Sequence, residues 1–287
     1  MTFELLTGGM RNLAVALQVD GLEDRLVLRI YKRDPLACRK EVELHNLVSG
    51  WIPVPEILYA DPAGAEDIGP HMLMRYVEGV TFQELKSKGN PEQTAEAAYA
   101  IGATLAKFQL ASSGSRPRLI EDVPRPISEI LEKWLSTPIV EQRLGIDVRD
   151  QWRDFAFGWT SQMSALDRDR LLVHGDFSAR NTIVRQSGRS WAVSGVLDWE
   201  LARFGPRLWD VARFISFERR TRPVREPYFS RGFAENGGAL PENWPALARI
   251  INAVSATESL TQPDLPEEFA RDLKKLIVAT MTAVDPA

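Results

Sequence analysis

The chain has 287 residues with 35 basic and 39 acidic side chains, a formal charge of −4, which argues against a nucleic-acid binder. At 44% hydrophobic and 26% charged residues it is neither disordered nor collagen-like. One cysteine, Cys38, and three histidines exclude a disulfide framework, a Cys-based zinc site and a His-rich metal cage.

The length corresponds to about two domains at roughly 150 residues each. MTFELLTGG has no basic stretch leading into an apolar one, and no apolar run reaches about 18 residues. The expectation is a cytoplasmic protein without membrane or nucleic-acid partners, its oligomeric state open.

Strands come first. Phe3 to Leu6 and Leu13 to Val19 flank the turn TGGMRN. After Asp20-Gly21, RLVLRIY alternates, with Leu26, Leu28 and Ile30 on one face and Val27, Arg29 and Tyr31 on the other. A helix is predicted over Leu36 to Val48, then short strands at Ile57 to Ala60 and His71 to Val77. From about Thr81 the apolar period becomes helical. Ala98, Ile101, Leu105 and Phe108 mark one amphipathic helix, and Trp152, Phe155, Trp159, Met163 and Leu166 a second, across residues 147–166. A β insert spans Leu171 to Leu197, and helices return at Pro206–Phe217, around Pro245–Ala256 and at Glu267–Ala283.

The chemistry concentrates in LLVHGDFSARNTIVRQSGRSWAVSGVLDWE, residues 171–200. An apolar strand delivers His174, Gly175 and Asp176 into a loop. Asn181 then enters a hairpin whose Ser-Gly turn lies at Ser187–Ser190. Folding about that turn sets position 181 opposite about 196–198, so Asn181 and Asp198 come together. A carboxamide and a carboxylate form a hard oxygen site suited to Mg²⁺ carrying phosphate oxygens. Asp176 is placed to accept the proton of an incoming hydroxyl. Phosphoryl transfer requires charge neutralisation, in-line positioning and that one proton acceptor.

HGDFSARN followed by VLDWE resembles the aminoglycoside phosphotransferase and choline kinase-like superfamily, distant relatives of the protein kinases, over nearly the whole chain. The resemblance implies a two-lobe α+β, protein-kinase-like fold, with a β-rich nucleotide-binding lobe over 1–77 and an α-rich catalytic and substrate lobe over 78–287. It implies Asp176 as catalytic base, Asn181 and Asp198 as metal ligands, and His174 as a support of the loop. Gly8 and Gly9 look like the phosphate-covering loop. Val27 and Arg29 share the face that carries the phosphate-binding cation, usually lysine; arginine is not equivalent to it. Glu41 matches the helix glutamate that pairs with that cation; Glu43, about 200° further round, cannot share its direction. Arg75, Tyr76 and Val77 look like the segment whose backbone reads the adenine. Asp210 matches a supporting aspartate, and His45 and His71 read as structural.

The implied activity is transfer of the γ-phosphoryl group of ATP or GTP, with Mg²⁺, to a hydroxyl of a small molecule. An aminoglycoside-like antibiotic, an amino alcohol, homoserine or a sugar all remain open as acceptor. Glu226, Glu235 and Glu242 either draw a cationic acceptor or form a solvated acidic face. The alternative function is a non-catalytic nucleotide-binding pseudokinase or scaffold, supported by Arg29.

Overall fold

The computed structural model describes residues 2–6, 12–32, 34–64, 68–88, 90–114, 126–168, 170–216 and 225–284. The chain divides into two compact units, one of residues 1–121, 174–203 and 217–239, the other of 122–173, 204–216 and 240–287.

The first unit begins with a five-stranded antiparallel sheet. Its strands are β1 (Thr2–Leu6), β2 (Asn12–Gln18), β3 (Leu26–Tyr31), β4 (Ile57–Asp61) and β5 (His71–Arg75), in the order β1-β2-β3-β5-β4. Helix α1 (Pro35–Val48) starts where Asp34 caps it, its carboxylate accepting the Leu36 N–H at 2.9 Å. Pro35 at the first position has no N–H to leave unpaired. Buried Ala37 and Cys38 of α1 cluster with Tyr31, Met72 and Met74, and Val27 packs on them. The predicted alternation of β3 holds, so Val27, Arg29 and Tyr31 share one face.

The unit continues through β6 (Val80–Thr81), α2 (Phe82–Ser87), α3 (Pro91–Ala111), β8 (Thr182–Ser187), β9 (Ser190–Val196) and α9 (Tyr228–Glu235). Ile101, Leu105 and Phe108, three of the residues predicted to form the α3 stripe, are fully buried. Helices α3 and α9 touch backbone to backbone. A Cβ at Gly102 would stand 2.1 Å from the Phe229 carbonyl oxygen, and one at Gly232 2.1 Å from that of Tyr99. Glycine to alanine ordinarily stabilises a helix by about 1 kcal/mol, but here the clash reverses the sign. Gly102→Ala is expected to destabilise by about 1–3 kcal/mol, the range for overpacking, measured by urea unfolding.

The second unit holds α4 (Ile127–Leu135), α5 (Pro138–Leu144), α6 (Ile146–Gly158), α7 (Thr160–Asp167), α8 (Leu208–Ile215), α10 (Trp244–Leu260) and α11 (Glu267–Ala283). A two-stranded sheet pairs β7 (Arg170–Val173) with β10 (Arg203–Pro206). The single helix predicted over 147–166 is two. Trp159, at φ −101° and ψ 8°, leaves helical geometry directly after Gly158. Trp152, Trp159 and Met163 are buried on both sides of the break, which is why the apolar period runs through it. The helix predicted from Pro206 begins at Leu208 because residues 203–206 pair as a strand, and position 217 lies outside the described residues. Among the described residues no helix is long and apolar enough to cross a membrane.

Candidate active site

The hairpin that carries Asn181 and Asp198 closes with Ser187 opposite Ser190, around Gly188 at φ 62°. Ladder pairing from that turn alone would set Thr182 against Gly195. A bulge intervenes: Val184 pairs with Val193 but Ile183 with Gly195, leaving Ser194 as the extra residue. Thr182 therefore meets Val196, and the Leu197 N–H donates to the Asn181 carbonyl at 2.8 Å. Asp198 follows at once in the left-handed region, φ 69° and ψ 65°, which among the described non-glycine residues is unique to it. Asp tolerates this conformation better than most residues, and such strain gathers at functional positions.

The preceding loop is pinned from both ends. His174 Nδ1 accepts the Asp176 N–H at 3.2 Å, so its Nε2 carries the proton given to the Leu197 carbonyl at 2.9 Å. Gly175, at φ 84°, sits against the backbone of Leu201, where a Cβ would lie 2.2 Å from the carbonyl oxygen. The Asn181 side-chain N–H groups donate to the Asp176 carbonyl and to its Oδ2, each at 3.0 Å. That fixes the carboxamide orientation and leaves Asn181 Oδ1 as an acceptor.

Arg29 reaches the same place from β3. Its Nη2 lies 2.6 Å from Asp198 Oδ1, 3.4 Å from Glu41 Oε2 and 3.6 Å from Glu200 Oε2. Burial disfavours the charged guanidinium, but Glu41 and Asp198 outweigh it and hold Arg29 firmly protonated. Glu41 is fully buried. Burial alone would push its carboxyl up; Arg29, with contacts from His45 and Tyr31, instead holds it well below the usual carboxylate range. The Tyr31 hydroxyl donates to Glu41 Oε2 at 2.5 Å and the Trp199 N–H to Oε1 at 3.1 Å. Glu200 is pushed up by burial and by the neighbouring Asp198 charge; Asn12 Nδ2 donates to it at 2.7 Å, and Lys40 Nζ to its carbonyl at 2.7 Å.

Because the folded-state value of Glu41 is depressed, its charge stabilises the fold above the ordinary carboxylate range. That contribution is lost as pH falls through the depressed value. Glu41→Gln is expected to cost about 3 kcal/mol at pH 7, as breaking a buried pair does. The gap to wild type should narrow at pH 3; urea unfolding at the two pH values measures it.

Of the remaining predicted residues, Val27 is half-buried and packs against the core cluster that α1 helps to form. The Arg75 and Tyr76 N–H groups donate to the Glu56 and Arg25 carbonyls, both at 2.9 Å, while the Val77 N–H makes no bond among the described residues. The Arg75 side chain turns to Asp24 and Glu56, and the Tyr76 ring lies 4.4 Å beneath the Arg25 guanidinium. Gly8 and Gly9 lie outside the described residues. Asp210 is buried in the second unit. His45, read as structural, stands 3.7 Å from Glu41, and its ring nitrogens make no hydrogen bond among the described residues.

Sequence reasoning missed Tyr31, Asn12 and Lys40. Tyr31 carried a signal, being two residues from Arg29 on one strand face. Asn12 and Lys40 carried none, since their partner lies 188 and 160 positions away. Among the described residues no three His, Cys, Asp or Glu side chains form a metal cage. The oxygen donors here are instead the Asp198 carboxylate and Asn181 Oδ1, a set that fits a hard divalent cation with open positions.

The cluster joins a protonated guanidinium to two carboxylates, and Asn181 ties the Asp176 loop to the strand that leads into Asp198. The sequence profile of the phosphotransferase enzyme family matches residues 2–250. No curated protein matches the chain. Among solved structures, the GDP complex of wild-type aminoglycoside 2'-phosphotransferase-IIIa aligns at 19% identity and TM-score 0.71, covering 99% of this chain and 93% of that one. A thermostable aminoglycoside phosphotransferase APH(4)-Ia mutant, with AMP-PNP and hygromycin B, aligns at 19% and 0.68, covering 98% and 93%. A choline/ethanolamine kinase family protein from Mesorhizobium loti aligns at 19% and 0.68, covering 98% and 88%. The fold is protein-kinase-like, and with most of its length matched the chain belongs to the phosphotransferase enzyme family.

Proposed function

We propose that the protein moves the γ-phosphoryl group of ATP or GTP to a hydroxyl of a small molecule in the cytoplasm. The nucleotide part is residues 1–77 and the catalytic and acceptor part 78–287. The observation that carries this reading is one line of contacts: Asp176 to Asn181, Asn181 to Leu197, then Asp198 to Arg29 and Arg29 to Glu41.

Asn181 Oδ1 and the Asp198 carboxylate are the groups we assign to Mg²⁺, which when bound neutralises phosphate oxygens. Arg29, steadied by Glu41, faces the phosphates. By the family resemblance Gly8 and Gly9 are assigned to the phosphates, and Val27 with the backbone of Arg75, Tyr76 and Val77 to the base. The Asp176 carboxylate takes the acceptor's hydroxyl proton as that oxygen bonds to the γ-phosphorus. The bond from phosphorus to the β–γ bridging oxygen breaks, and its electrons leave with the nucleoside diphosphate. The GDP, AMP-PNP and hygromycin B of the solved relatives support a nucleotide donor and a small acceptor.

The test is a panel of aminoglycosides, amino alcohols, homoserine and sugars, with ADP and GDP release as readouts. One acceptor class should raise release well above the rate with water alone. Nucleotide binding without acceptor-dependent release would favour the scaffold reading.

A further inference from the structure

The first unit has a concavity lined by none of the residues assigned to phosphoryl transfer. A cavity of about 890 Å³ opens between the N-terminal half of α3, the tip of the β8–β9 hairpin and α9. Its size falls within the range of about 300–1,000 Å³ typical of small-molecule sites. β9 runs for seven residues from Ser190 to Val196, at about 3.3 Å each, so the cavity end of the hairpin stands about 20 Å from Asp198. A ligand held there cannot present a hydroxyl to Asp176.

The walls have a consistent chemistry. Glu92 and Glu96 are one helical turn apart on α3, and neither has an ion pair or hydrogen bond among the described residues. Tyr99, Trp191 and Tyr228 supply aromatic faces, while Ala95 and Ala100 keep the floor open. The site already holds one cation of its own. The Arg231 guanidinium lies 5.4 Å from the Tyr99 ring centroid and 5.8 Å from that of Tyr228, with Glu235 at 4.0 Å. Glu235 is also fixed by the Tyr99 hydroxyl at 2.8 Å. Arg231 therefore satisfies one end of the cavity, and Glu92, Glu96 and the Trp191 ring remain to bind a second cation.

We propose that this cavity is a binding site for a small organic cation, an ammonium or guanidinium group on a flat apolar body. The charged group sits between Glu92 and Glu96, and the body lies on Trp191.

Phenylguanidinium is the probe, phenylurea its uncharged counterpart, and isothermal titration of the full chain the readout. Saturable binding of the cation with affinity at least about tenfold above phenylurea is expected, since one cation–aromatic contact and two solvent-exposed charge contacts together reach that size. It should persist in Asp176→Ala and with nucleotide present, and fall about tenfold in Glu92→Gln/Glu96→Gln and in Trp191→Ala. Equal binding of both probes, loss of binding on adding nucleotide, or wild-type affinity in a folded Glu92→Gln/Glu96→Gln variant would overturn the assignment.

Discussion

Asp176→Ala should lower kcat by about 10²–10⁴-fold, the range for loss of a positioned general base. Nucleotide binding should persist, because the variant removes no group assigned to the metal or the phosphates. The local geometry also has a safeguard: Asn181 donates to the Asp176 backbone carbonyl as well as to its carboxylate, so one of its two anchors survives the truncation. Asp176→Asn keeps the volume and removes the basicity, and should be as slow. Steady-state kinetics beside a nucleotide titration separate the effects; turnover within a few-fold of wild type would remove Asp176 from the proton-transfer role.

Arg29→Ala should cost both stability and nucleotide affinity. It leaves the buried Glu41 carboxylate without its guanidinium, and stranding one partner of a buried pair costs about 3–5 kcal/mol. His45 is a weak substitute because its ring stands 3.7 Å away and makes no hydrogen bond to Glu41 among the described residues. Glu200 and Asp198 lose the cation between them, so three carboxylates face one another across the gap. Arg29→Lys restores a charge and should recover most of the stability, but as a point donor it cannot hold the three carboxylates and phosphate with the same geometry. Urea unfolding and nucleotide titration of the two variants provide the measurement. An Arg29→Ala protein as stable as wild type would mean that the ion cluster does not organise this region.

These expectations rest on features of unequal visibility in the sequence. The alternation of β3 was plain, and it puts Val27, Arg29 and Tyr31 on one face. Ser-Gly between two apolar runs located the hairpin turn at Ser187–Ser190. The expected pairing of position 181 with about 196–198 agrees with the Leu197 N–H on the Asn181 carbonyl. The reason for that register was hidden, because it depends on Ser194 bulging, and nothing in WAVSGVL marks which residue leaves the ladder. The break at Trp159 was hidden for the opposite reason: both helices bury the same stripe, so periodicity continues where the backbone does not. The Asn12–Glu200 contact joins distant parts of the chain through two polar side chains, and polar pairing leaves no periodic trace.

Asn181 and Asp198 are proposed to hold one divalent ion together with a nucleotide. Mn²⁺ is a spectroscopic substitute for Mg²⁺, and electron paramagnetic resonance counts the ions bound in the presence of ATP or GTP. Nucleotide-dependent binding of Mn²⁺ to the wild-type chain is expected, abolished in a folded Asn181→Ala/Asp198→Ala double variant. Undiminished Mn²⁺ binding by the double variant would contradict it.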